Sequence, residues 1–175
     1  MRFLISHKSK PTAGFTLIEL IVVVLIIGIL SALAASGWLS FINRQRVGAV
    51  RTEIAQTLRT AQQQAQQRRQ NVTVATTTAN GQPALSVNGI TQPLNEGNNV
   101  QVDTRGAATH AVRFNYRGEP VVVNTAATDA NGEFQVAGDP PFTFNVTTTS
   151  GGSRQCVRVD SLIGSIKTLT GNDCN

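Results

Sequence analysis

The sequence predicts an α+β protein in which a long N-terminal α-helix, apolar through its first half, packs on a C-terminal antiparallel β-sheet domain. Three observations lead there. Residues 15–39 form an apolar stretch whose only ionisable side chain is Glu19. From Asn43 to Gln70 there is no proline, and Arg, Gln, Ala, Glu and Leu, all good helix formers, dominate. After Asn71, threonine, valine, asparagine and glycine take over, and short β-type runs alternate with turn signals.

The chain opens with a basic leader, Arg2, Lys8 and Lys10, and the apolar stretch begins straight after Gly14. A helix of that length and composition is a membrane-span candidate. A charge at the middle of a bilayer costs ~2.5–3.5 kcal/mol on insertion scales, so a lone Glu19 calls for a use. Basic residues ahead of such a span hold the N-terminus in the cytoplasm and send the following domain across. A secretory signal peptide or a plain anchor shares the basic-then-apolar order. The apolar run here is longer than a typical signal h-region, and an uncleaved anchor leaves Glu19 without a purpose.

The polar continuation of the helix carries one apolar stripe: Val47, Val50, Ile54, Leu58, Ala61 and Ala65. That stripe should pack on a sheet, with Arg44, Arg51, Arg59 and several glutamines facing water or neighbouring subunits. The expected strands are Val72–Thr77, Ala84–Val87, Val100–Asp103, Ala111–Tyr116, Pro120–Asn124, Glu133–Val136, Phe142–Thr147, Gln155–Val159 and Ser165–Leu169. Asn80-Gly81, Asn88-Gly89, Arg117-Gly118, Asn131-Gly132 and Gly151-Gly152 mark turns between them.

The run Gly14-Phe15-Thr16-Leu17-Ile18-Glu19-Leu20 resembles the type IV pilin signature, shared with the type II secretion pseudopilins, and the resemblance extends from Lys8 to about Phe41. It implies a pilin fold in four parts. Residues 1–14 are a prepilin leader and 15–42 a transmembrane, filament-core helix; 43–70 continue that helix, and 71–175 form a β-rich domain in the periplasm or outside the cell. It also implies that a prepilin peptidase of the inner membrane cuts after Gly14 and methylates the new N-terminus at Phe15. Glu19, fifth residue of the mature chain, would then meet the Phe15 amine of an adjacent subunit. Many pilins have a proline near Ser36-Gly37, where this chain has none. Gly37 reads either as a softer break or as a close-packing glycine in the membrane.

The β-rich part resembles, less specifically, the GspH/FimT branch of pseudopilins and minor pilins, through its long sheet domain and its ending, Cys156-Val157-Arg158-Val159 to Cys174. Once the domain is exported, an oxidising compartment makes a Cys156–Cys174 disulfide the expected state. It would contribute roughly 3 kcal/mol by loop closure. A metal site is the competing reading, but two thiols with His110, the one histidine beyond the leader, make poor zinc ligation.

Net charge excludes little. The chain is formally +5, but Arg2, Lys8 and Lys10 supply three of those charges, so the 161 residues after Gly14 carry +2. No nucleophile with a base, acid/base pair or metal set is legible, so no cofactor and no catalysis are expected. His110 stands in a Thr-His-Ala context with no recognisable partner. Asp129-Ala130-Asn131-Gly132-Glu133 has the oxygen donors of a calcium loop without its spacing, and Asn-Gly already reads as a hairpin turn. Some FimT-like minor pilins are linked to DNA uptake through a basic Gly-Arg-x-Arg motif. The matching place here is Gly164-Ser165-Ile166-Lys167, with one cation left. Arg154, Arg158 and Lys167 would form a modest, weakly DNA-binding patch if their strands are adjacent. The sequence therefore reads as a structural minor pilin or pseudopilin subunit. The alternatives are a GspH-like subunit of a type II secretion pseudopilus and a DNA-binding minor pilin.

Overall fold

In the computed structural model, residues 14–95, 99–105, 109–149, 151–152, 154–160 and 163–174 are described, the side chains of 33–36 excepted. Arg2, Lys8 and Lys10 of the leader lie outside them. Helix α1 runs Leu17–Arg68, and residue contacts divide the chain after Ser40 into two compact units.

In the first unit every described side chain from Phe15 to Ala32 is exposed, Leu17 to 77% and Leu30 to 60%. Among the described residues no single helix is long and apolar enough to cross a membrane. The helical segments Leu17–Ala32 and Gly37–Arg68 meet that requirement together, by length and composition.

The second unit is built on the rest of α1. Val47, Val50, Ile54, Ala55, Leu58, Ala61 and Ala65 are all buried, the stripe that the three- and four-residue spacing predicts, with Ala55 added. The helix ends at Arg69, which adopts a left-handed φ of 52°, and Gln70 N–H donates to Ala65 O at 3.2 Å. This is the Schellman geometry, in which a left-handed residue lets the chain turn back on the last helical carbonyls.

Ten strands follow among the described residues: β1 (Val72–Ala79), β2 (Gln82–Val87), β3 (Ile90–Pro93), β4 (Val100–Thr104), β5 (His110–Phe114), β6 (Pro120–Thr128), β7 (Phe134–Gly138), β8 (Phe142–Thr148), β9 (Gln155–Asp160) and β10 (Ser165–Thr170). A 3-10 turn, Gly171–Cys174, follows β10. They form two antiparallel sheets, one ordered β3-β2-β1-β5-β6-β7 and the other β10-β9-β8-β4. Val72, Val74, Leu85, Val112 and Phe114 of the first sheet share one core with the helix stripe and with Phe144, Val146, Val157 and Val159 of the second. Phe142 and Phe144 pack edge to face at 5.0 Å.

Turn chemistry explains the hairpins. Asn80 and Asn88 take φ of 54° and 50°, each followed by a glycine of positive φ, the two-residue I′ geometry that suits the strand twist. The second of these turns folds β3 onto β2. The sequence reading has no strand there, because four residues ending in proline carry no visible alternation. Strand β5 stops at Phe114, short of the expected Tyr116, because Asn115 opens a tight turn. Its Oδ1 accepts from the backbone N–H groups of Arg117 at 2.9 Å and Glu119 at 3.0 Å. Tyr116 is left 52% exposed, with the Arg117 guanidinium 5.3 Å from its ring centre.

One polar residue of α1 reaches both sheets. Gln62 Nε2 donates to Gly118 O at 2.9 Å in the β5–β6 turn and lies 3.2 Å from Ile163 O in the β9–β10 turn. Gln66 Nε2 donates to Arg117 O at 3.1 Å. Gly118 and Gly164 have φ of 82° and 73°, and a Cβ at either position would run into the amide of Gln66 or Gln62, respectively. Glycine is needed there for both conformation and approach. Gly164→Ala should therefore destabilise the fragment from Phe41 onward by more than ~1 kcal/mol, and Gln62→Ala by ~1–3 kcal/mol. Because the two share a contact, their double variant should fall short of the sum. Urea denaturation followed by circular dichroism reads this; a Gly164→Ala effect within about 0.5 kcal/mol would contradict it.

Candidate functional site

Gly14, Phe15 and Thr16 are non-helical and lead directly into α1. Thr16 is its N-cap: its Oγ1 accepts the Glu19 N–H at 3.3 Å, and its carbonyl accepts the Leu20 N–H at 3.2 Å. Thr16-Leu17-Ile18-Glu19 is thus the Thr-x-x-Glu pattern of a capping box, a legible signal that the sequence reading left unused. A negative side chain in the first turn also suits the positive end of the helix dipole. Phe15 is 81% exposed, and a Cβ on Gly14 would meet nothing within 4 Å. Nothing described in the chain itself therefore demands glycine at position 14. Any such demand must come from a molecule that binds this segment. Glu19 is exposed, and its carboxylate has no hydrogen-bond or ion-pair partner among the described residues.

At the other end, Cys156 of β9 and Cys174 of the 3-10 turn form a disulfide, with Cα atoms 5.8 Å apart and a sequence separation of 18. Both cysteines are buried, and the closed loop contains β10. The bridge holds the 3-10 turn against β9 and ties down the tail.

Of the three candidate patch cations, the fold brings two together. Lys167 and Arg158 are cross-strand partners on β10 and β9. Like charges directly opposite destabilise a sheet, and here Asp160 lies between them. Its Oδ1 is 2.8 Å from Arg158 Nε and its Oδ2 is 3.0 Å from Lys167 Nζ. Lys167, then Arg158, holds the Asp160 carboxyl below its ordinary value of 3.8, against the opposing effect of burial. Arg154 precedes β9, four residues from Arg158, or roughly 13 Å along a strand. The net charge of Arg158, Lys167 and Asp160 together is that of a single cation. Asp160 escaped the sequence reading because only the strand register brings it to Lys167.

The remaining acidic candidates are occupied by the fold. Asp129 Oδ1 accepts from the N–H groups of Asn131 and Glu133, each at 2.9 Å, closing the β6–β7 turn. Glu133 pairs with Arg113 at 3.1 Å and accepts from Asn71 at 3.3 Å. His110 opens β5, half-buried. Among the described residues no group of three or more His, Cys, Asp or Glu could hold a metal ion.

Residues 9–35 match the family described as the prokaryotic N-terminal methylation motif. No curated protein and no solved structure matches the chain significantly.

The Asp160 geometry carries a pH dependence. A carboxylate whose folded pKa is depressed stabilises the fold above its unfolded pKa, and that stability is lost as pH falls through the folded value. Wild type should exceed Asp160→Asn by up to ~1 kcal/mol near neutrality, and the gap should close below pH ~4. Denaturation of both proteins between pH 7 and pH 3 checks it; a gap that stays constant would count against the pairing.

Proposed function

We propose that this chain, whose N-terminus carries the methylation motif of type IV pilin-like prepilins, is a structural minor pilin or pseudopilin subunit of the GspH/FimT type. The observation that carries this reading is the order of parts at the N-terminus. An exposed, non-helical Gly14–Phe15 bond precedes an N-capped helix with bare apolar sides and one carboxylate that has no partner among the described residues. A peptidase must draw an extended segment into its site, and this bond is available without unwinding α1.

Residues 1–14 act as the leader. Their cations keep the N-terminus in the cytoplasm while residues 15–42 sit in the inner membrane as core helix. Residues 43–70 continue the helix and 71–175 form the exported β-rich domain. Cleavage after Gly14 leaves a positive amine at Phe15, which the peptidase methylates. Thr16 stays with the mature chain, so the helix cap survives processing. On transfer into a filament, the apolar helices bury one another and Glu19 meets the Phe15 amine of an adjacent subunit. In a medium of low dielectric, an unpaired charge costs far more than a matched pair contributes. That asymmetry rejects misplaced subunits and sets register.

The role is structural: no residue set for catalysis or for a cofactor is invoked. The filament is a type IV pilus or a type II secretion pseudopilus, and the same assembly step serves both. DNA uptake has less support, because Asp160 already occupies Arg158 and Lys167.

Charge pairing and helix capping separate in two variants. Glu19→Ala should be inserted and cleaved normally yet enter filaments at least about tenfold less. Glu19→Gln keeps a capping-box side chain without the charge, so it should fail equally. If Glu19→Gln assembles like wild type, capping and not charge is what Glu19 supplies. Gly14→Val should leave the precursor uncut, read by its mass; normal cleavage would refute the junction.

A further inference from the structure

Beside α1 the β2–β3 hairpin leaves an open groove, floored by Gly48, Arg51 and Thr52 of the helix and walled by Asn88, Ile90 and Asn95. Two features of it are unsatisfied among the described residues. Arg51, expected to face water or neighbouring subunits, is half-buried, and its Nε is shielded from solvent without a hydrogen-bond partner among the described residues. Among the described residues strand β3 is an edge of its sheet, paired with β2 alone, and all four of its residues are exposed, Ile90 to 68%. An open edge presents backbone donors and acceptors to any extended chain laid beside it. The carboxylate nearest the groove, Glu53, is already taken: its oxygens accept from Asn95 N–H at 3.1 Å and Asn95 Nδ2 at 2.9 Å. The groove lining holds two cations, Arg51 and Arg68, against the one carboxylate of Glu53, so it stays net positive.

A buried guanidinium donor with no acceptor is costly, and its planar fork matches a carboxylate. From these we infer that the groove receives an extended, carboxylate-bearing strand of a neighbouring filament subunit. The strand adds to β3 by backbone hydrogen bonds, and its carboxylate pairs with Arg51, so backbone pairing provides affinity and the ion pair selects the partner. The inference rests on the filament reading above, which makes a pilin-like subunit the partner at hand. The groove is carried by the same helix that leads assembly.

The test places a photo-crosslinking amino acid at Ile90 of the full-length chain in cells that make the filament. The linked peptide is identified by mass spectrometry of isolated filaments. The same residue at Ile163, 78% exposed in the β9–β10 turn, is the control. Ile90 should link to an acid-containing, strand-forming segment of a pilin-like subunit. Arg51→Glu should lower that yield about tenfold or more, Arg51→Gln somewhat less, and the Ile163 adducts should not change with either. Arg51→Gln keeps a polar side chain of similar reach, so the result does not hang on tolerance of a buried acid. An Ile90 yield insensitive to both variants, or links only to helices or to proteins outside the filament, would overturn the inference. So would no adduct from filaments that contain the methylated Phe15 peptide of this chain. If the wild-type chain never enters filaments, the underlying reading falls with it.

Discussion

Seven side chains between Val47 and Ala65, all on one stripe of α1, are the surface on which both sheets close. Neither sheet has a complete core alone: the valines and Phe114 of the first and the phenylalanines and valines of the second meet on the same helix face. Each buried valine, isoleucine or leucine there is worth ~1.5–3 kcal/mol of transfer free energy, so the stripe contributes heavily to what holds this unit together. Gln62 and Gln66 sit beside it, where the turns of the two sheets bring their carbonyls to the helix. Apolar burial sets the layers together, and two side-chain amides fix where the layers stop. The disulfide then secures the end of the second sheet.

The first half of the same helix poses the opposite problem. From Phe15 to Ala32 it offers apolar side chains with nothing to cover them. Such a surface in water is a liability unless a membrane or other subunits take it up. A single carboxylate within that surface is tolerable only where a cation meets it. Cleavage at Gly14 would create such a cation at Phe15, four positions before Glu19, for the carboxylate of an adjacent subunit to meet. The exposed junction, the cap at Thr16 and Glu19, which has no ion-pair partner among the described residues, thus make one account.

Much of this was legible in the sequence because it is local. The helix stripe shows a 3.6-residue period on a polar background, and all six residues read from it are buried. The Asn-Gly pairs at 80–81 and 88–89 announce turns that need positive φ at both positions, and they have it. What was not legible depends on register or on distant partners. Strand β3 exists because a turn presses a featureless tetrapeptide onto β2. Gln62 reads as one more surface glutamine, since its acceptors come from turns 56 and 101 residues away. Asp160 is unremarkable until the β9–β10 register sets it between Arg158 and Lys167. Arg51 reads as facing water or a neighbouring subunit, and nothing in its own segment reveals the hairpin beside it.

Peptide mass spectrometry of sheared extracellular filaments and of the membrane fraction tests the central claim most directly. Processing and assembly predict an N-methylated peptide that begins at Phe15, present in the filament fraction for a pilus or held in the membrane fraction for a short pseudopilus. A chain that still begins at Met1 in every fraction would contradict the account from its first step.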